Sequence, residues 1–197
     1  MLPDLEEIEW EDLDHDINFP KPIYIGIDVG ERNMAFCAIH RLGGNTHILR
    51  IEKHDLGLTK PQQAKHLPEL LTRFMLECHR LVEFQYVEFH VGVEQQFARY
   101  KYLEFACQVT VNMFSDDMHP AKPYLISGSS KYRPMRVPGR PFPKDYNKRK
   151  KLAVHYFLER SGVDPDWLHS HMEKHKKLDD EADAYLVALE THHRVKK

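Results

Sequence analysis

Cysteine is scarce in this chain: Cys37, Cys78 and Cys107 are the only three among 197 residues. Their odd number and wide spacing exclude a disulfide framework and a thiolate metal site, and point to a reducing compartment. Long apolar runs are also missing. No stretch approaches the ~18–20 residues that cross a bilayer, so no membrane partner is expected. The opening Met1-Leu2-Pro3-Asp4-Leu5-Glu6-Glu7 lacks the basic-then-apolar order of a secretory signal. It is too acidic for an arginine-rich transit peptide, so secretion is not expected and a cytoplasmic or viral replication setting is favoured over a mitochondrial one. Internal repeats and low-complexity tracts are absent. The 14 histidines show no metalloprotease spacing, and His169/His171 and His192-His193 read as surface residues rather than zinc ligands.

An excess of positive charge is missing too, since the formal net charge is −2. The distribution reverses what that total suggests about a polyanionic partner. Residues 1–16 hold eight acids and no Lys or Arg, which leaves the remainder at net +6. Within that remainder, residues 131–151 carry nine bases against Asp145 alone. Lys131, Arg133, Lys148, Lys150 and Lys151 in this run are the candidate DNA-binding residues, because such a density suits phosphate. A solvated loop is the plain alternative for any charge run.

What is present is a real core, with 42% hydrophobic residues. Residues 1–20 read as an appended acidic extension and 21–197 as one domain. Residues 22–29 alternate as a strand, with Ile23, Ile25 and Ile27 on one face and Tyr24, Gly26 and Asp28 on the other. Strands near 34–41 and 47–55 follow across Gly43-Gly44-Asn45, a hairpin signal. Helical spacing runs over 61–83, with Pro68 expected to break or restart it. A strand over 86–94 has Val87, Phe89, Val91 and Val93 on one face and Glu88, His90, Gly92 and Glu94 on the other. A helix over 99–114, a short strand over 123–127 and a Gly/Pro/Arg-rich loop over 128–146, long enough to point to function or disorder, come next. Helices over 147–160 and 179–194 complete the chain. This order predicts an α/β fold on a mixed five-stranded sheet, with three antiparallel strands and then two reached by helical crossovers.

Three apolar segments each deliver carboxylates. Asp28 ends the first strand and Glu94 the fourth, and strand ends are where open α/β sheets concentrate their chemistry. Glu88 has the same parity as Glu94 but falls in mid-strand. Asp180 and Asp183 are three apart and Asp179 and Asp183 four apart, so either pair shares a helix face. Separately, each has an ordinary explanation: a turn-initiating Asp, an exposed strand end, and acids that complement a helix dipole. Alanines 182 and 184 would let the last helix approach a sheet edge. Converging carboxylates repel, and hard divalent cations with oxygen ligands resolve the conflict. Two Mg2+ ions, with Mn2+ as a substitute, at Asp28, Glu94, Asp183 and either Asp180 or Asp179 suit phosphodiester hydrolysis.

The segments Gly26–Ile39 (GIDVGERNMAFCAI), Val91–Arg99 (VGVEQQFAR) and Lys176–Leu189 (KKLDDEADAYLVAL) resemble the three acidic motifs of RuvC-type Holliday junction resolvases. These belong to the ribonuclease H-like superfamily, and the likeness is greatest to the poxviral and fungal mitochondrial branch. It covers residues 22–190 and implies a ribonuclease H-like fold. By the same likeness the catalytic carboxylates fall on Asp28, Glu94, Asp180 and Asp183, with Asp179 as a substitute for Asp180. The resemblance also implies a lysine near the scissile phosphate, for which Lys131, Lys148 and Lys151 compete. It further implies a homodimer that cuts two strands of a four-way DNA junction symmetrically. The alternatives are a ribonuclease H-like nuclease for RNA–DNA hybrids or precursor RNA, and a non-catalytic nucleic-acid-binding module of the same fold.

Overall fold

The computed structural model describes residues 22–30, 33–42, 45–56, 59–82, 86–174 and 177–196. The acidic extension over 1–20 and the Gly43-Gly44 turn lie outside the described residues. Five strands, β1 (Ile23–Asp28), β2 (Met34–Leu42), β3 (Asn45–His54), β4 (Phe89–Glu94) and β5 (Ala121–Ile126), form one sheet in the order β3-β2-β1-β4-β5. β1, β2 and β3 pair antiparallel, while β4 pairs parallel with β1 and β5 parallel with β4. The crossover helices are α1 (Lys60–Arg80), between β3 and β4, and α2 (Lys101–Phe114), between β4 and β5. After β5 come α3 (Tyr146–Arg160), α4 (Pro165–Lys174) and α5 (Asp179–Val195). This is the mixed-sheet α/β architecture that the hydrophobic patterns predict.

Alternation along the strands splits the core in two. Ile23, Ile25, Ile27, Phe36, Phe89, Val91 and Val93 face α1 and α2. Tyr24, Ala35, Cys37 and Ile39 face α3 and α5. The helix α5 lies across the central strand β1 and reaches both its neighbours β2 and β4, rather than a sheet edge as expected. Missing side chains make that crossing fit. A Cβ on Gly26 would lie 1.9 Å from the Ala184 carbonyl oxygen, and one on Gly92 would lie 2.0 Å from Thr191 Oγ1. Glycine is therefore required where β1 and β4 pass under α5.

Two local expectations are corrected, and two features are added. The helix α1 continues through Pro68. Its apolar face, Leu67, Leu71, Phe74, Met75 and Cys78, is fully buried, and that packing outweighs the ~3 kcal/mol that an interior proline costs. The fourth strand begins at Phe89, where pairing with Ile23 starts, so Glu88 precedes it rather than standing in its middle. The loop over 128–146 contains a 3₁₀ helix, Ser130–Met135, which buries Lys131, Tyr132 and Met135. The helix α4 escaped the sequence reading, although Asp164 caps it by accepting from the Trp167 N–H at 2.8 Å and Pro165 starts it.

Candidate functional site

Parallel pairing of β1 with β4 sets Ile27 beside Val93, so Asp28 and Glu94 emerge at the same end of adjacent strands. The first turns of α5 bring Asp183 to that end, with its side chain 1% exposed. The 3₁₀ helix supplies the cation that joins them. Lys131 Nζ lies 2.7 Å from Glu94 Oε1, 2.7 Å from Asp183 Oδ2 and 3.9 Å from Asp28 Oδ1. Lys150, from α3, places its ammonium 2.6 Å from the same Asp183 oxygen and 3.7 Å from Asp179 Oδ2. Asp180 points to a different partner, Lys53 of β3, at 2.7 Å. Glu181, fully buried, lies 3.8 Å from Lys53 and 2.5 Å from His171 of α4.

Three of the four predicted carboxylates, Asp28, Glu94 and Asp183, thus share one ammonium. Asp179 joins them through Lys150, and Asp180 stands on the Lys53 side. Glu88 does not join them: its carboxylate faces His90 Nε2 at 3.3 Å. Of the predicted basic residues, Lys131 is buried in the cluster, and Arg133 pairs with buried Glu190 at 2.9 Å. Lys148 and Lys151 stand exposed on α3. His171 and His192 are not surface residues. His171 is 10% exposed against Glu181, and His192 packs edge-on to the Tyr24 ring.

The cluster's electrostatics follow from burial. Burial pushes the Asp28 carboxyl well above the usual carboxylate range, and the neighbouring Glu94 charge pushes it further. Burial acts on Glu94 the same way, but a hydrogen bond from Asp28 and the Lys131 ammonium outweigh it and hold Glu94 below its ordinary value. Burial alone would lower Lys131; the carboxylates of Asp28, Asp183 and Glu94 outweigh it and hold the ammonium firmly charged.

The donor set is all oxygen, the preference of a hard divalent ion. Asp183 Oδ1 is buried with no hydrogen-bond partner among the described residues, a ligand atom available to such an ion. Among the described residues no three His, Cys, Asp or Glu side chains close on a common point as a ready-made cage. Lys131 Nζ stands between Glu94 and Asp183 instead. The residues fit a divalent metal in composition and burial, with a lysine ammonium at their centre.

Beside the cluster opens a cavity of about 630 Å³, lined by Glu94, Gln96, Phe97, Lys131, Tyr146 and Arg149 among others. Phe97 is 89% exposed there. The turn that carries it is held by Glu104 of α2, which is buried and accepts from the Gln96 N–H at 2.7 Å. Phe97, Glu104 and Lys53 escaped the sequence reading, since none is marked by a local pattern. The only available signal was the place of Phe97, three residues beyond Glu94.

Comparison with solved structures gives the fold a wider frame. The fowlpox virus resolvase, solved with substrate Holliday junction DNA, matches with a TM-score of 0.58 at 18% identity, over 89% of this chain and 99% of that one. The yeast mitochondrial Holliday junction resolvase, Ydc2, matches with a TM-score of 0.55 at 13% identity, over 90% of this chain and 82% of that one. The manganese-soaked, inhibitor-bound human cytomegalovirus terminase nuclease domain matches with a TM-score of 0.52 at 16% identity, over 87% and 82%. At these identities the likeness establishes a shared ribonuclease H-like fold. No curated protein matches the chain. The family model of the Poxvirus A22 protein matches residues 22–194, which takes in every strand, every helix but the last residue of α5, and all the clustered carboxylates, so the chain belongs to that family.

Proposed function

We propose that this chain is a structure-selective endonuclease that resolves four-way DNA junctions, using Asp28, Glu94, Asp180 and Asp183 to hold two divalent ions. The observation that carries the reading is the meeting of carboxylates from β1, β4 and α5 on one buried ammonium, in a member of the Poxvirus A22 protein family. The resolvase structures that share the fold support the junction as substrate, and the manganese-soaked nuclease domain supports the metal. When bound, the ions would activate the attacking water and stabilise the leaving oxygen. The protein's part is to bring Asp28, Glu94 and Asp183 to one place, with Asp180 turned toward Lys53 at the start of the same helix as Asp183. Lys131 is the lysine best placed to meet the scissile phosphate, ahead of Lys148 and Lys151, because it alone of the three already touches the carboxylates. Lys148 and Lys151 grip backbone phosphates farther out. Phe97, exposed beside the cavity, offers an aromatic face to an unstacked base at the branch point.

Two equivalent strands must be cut, and one chain carries one set of acids. A two-fold homodimer answers this. The helix α2 supports such a pairing: Leu103 and Val111 serve the chain's own core, while Phe105, Val109 and Met113 remain exposed. With Leu76 of α1 they line an apolar groove of about 800 Å³, larger than isolated surface hydrophobics would make. No helix among the described residues is long and apolar enough to cross a membrane. A cytoplasmic or viral replication site remains the proposed setting.

The test is cleavage of a synthetic four-way junction beside duplex, flap and RNA–DNA hybrid substrates, with Mg2+ and with chelator. Paired cuts in the junction, dependent on Mg2+, are expected. Preference for the hybrid would favour a ribonuclease reading, and binding without cutting would leave a non-catalytic module.

A further inference from the structure

Lys131 is 5% exposed, and its ammonium touches carboxylates from three separate elements. Its backbone is pinned. The Lys131 N–H donates to the Ser127 carbonyl at 3.1 Å, and Ser130 is held by Ser127 and by Arg194. Four methylenes separate that anchor from the charge, so the ammonium can leave while the backbone stays. The adjoining cavity of about 630 Å³ gives it somewhere to go, beside the Tyr132 ring, which its Nζ already meets at 5.4 Å from the centroid.

We propose that Lys131 is an internal counter-cation of the carboxylate cluster, which divalent metal displaces into the adjoining cavity on loading. Without a cation, the buried carboxylates would repel one another. With Lys131 in place they are compensated, but the oxygens a metal needs are engaged. A Mg2+ ion sits about 2.1 Å from its oxygen ligands. An ammonium 2.7 Å from Glu94 Oε1 and Asp183 Oδ2 cannot share that space with it. Lys150 does not play this part, since it meets only the α5 acids and approaches from α3. The device stabilises the metal-free protein and weakens metal binding by the strength of the ion pairs that must be broken.

The inference rests on the metal reading above and is tested apart from cleavage. The full-length protein is stripped with chelator and treated with an amine-acylating reagent, without and with MnCl2, and labelled lysines are identified by peptide mass spectrometry. Lys131 should be protected without Mn2+ and labelled with it, while exposed Lys148 and Lys151 react in both. In calorimetric titration, Lys131→Met should bind Mn2+ at least about tenfold more tightly than the parent, because the Lys131 ion pairs to Glu94 and Asp183 no longer have to be broken. If the variant does not fold, the labelling of the unaltered protein decides. Mn2+ binding with Lys131 still protected and no gain in the variant would overturn the exchange and leave the metal reading intact. Absence of Mn2+ binding in both proteins would remove the metal reading and the exchange with it.

Discussion

Asp183 takes two ammonium groups on Oδ2 and leaves Oδ1 buried without a partner among the described residues. A side chain so placed matters through its charge, and the same holds for Asp28 and Glu94. Asp28→Asn, Glu94→Gln and Asp183→Asn preserve shape and remove that charge. Each should lower junction cleavage by on the order of a hundredfold or more while leaving junction affinity in chelator within a few fold. Single-turnover cleavage and gel-shift titration measure the two quantities; unchanged cleavage in Glu94→Gln with a loss in Glu88→Gln would move the site to the other end of β4. His192 carries a separate prediction. Burial, then the charges of Arg41, Lys196 and His193, lower it from the ordinary 6.5 to about 4, with Tyr24 packed against its ring. A base lowered by folding resists protonation in the native state, so its contribution is whole above pH 6.5 and is lost as pH falls toward about 4. The loss should reach about 2 kcal/mol after solvent screening. Urea unfolding across that range should show it, and His192→Gln should flatten it.

At the scale of elements, the site depends on how closely α5 can lie on β1 and β4. Gly26→Ala would drive a methyl into the Ala184 carbonyl, a backbone group that cannot turn aside. It should cost about 3 kcal/mol or more in urea unfolding. Gly92→Ala meets the Thr191 and Val187 side chains first and should cost less. Equal stability in Gly26→Ala would mean that the helix can shift freely, contrary to this packing. The exposed face of α3 has a different task. Lys148→Gln with Lys151→Gln should reduce the slope of log affinity against log salt by roughly 0.9 for each phosphate no longer neutralised. Lys150 is left in place because it also holds Asp183. An unaltered slope would show that this helix does not meet the DNA backbone.

For the molecule as a whole, the exposed strip of α2 is the feature that one chain does not satisfy. Phe105 is 67% and Met113 81% exposed, in a helix whose other side is fully used. Light scattering at micromolar concentration should give about twice the 23.3 kDa chain mass. Phe105→Glu with Met113→Glu should reduce it to a single chain and separate the two junction cuts in time. A monomer that still makes paired cuts would defeat the dimer.

Strand alternation was legible because period-two patterns depend only on neighbouring residues. Isoleucines at 23, 25 and 27 force Asp28 onto the opposite face, and valines at 91 and 93 do the same for Glu94. Sheet order followed from the hairpin and crossover signals, since short links pair strands antiparallel and helical links pair them parallel. The cations could not be read this way. Lys131 lies 52 residues from Asp183, and Lys53 is far from Asp180 in sequence, so no periodicity relates them. Pro68 and the course of α5 over β1 were likewise settled by packing, which outweighs local propensity when a whole helix face is buried. Local pattern was enough to say which residues share a face and that Asp28 and Glu94 stand at strand ends. Which lysine compensates which acid came from packing alone, because a buried charge takes its partner from whatever the fold places within about 4 Å.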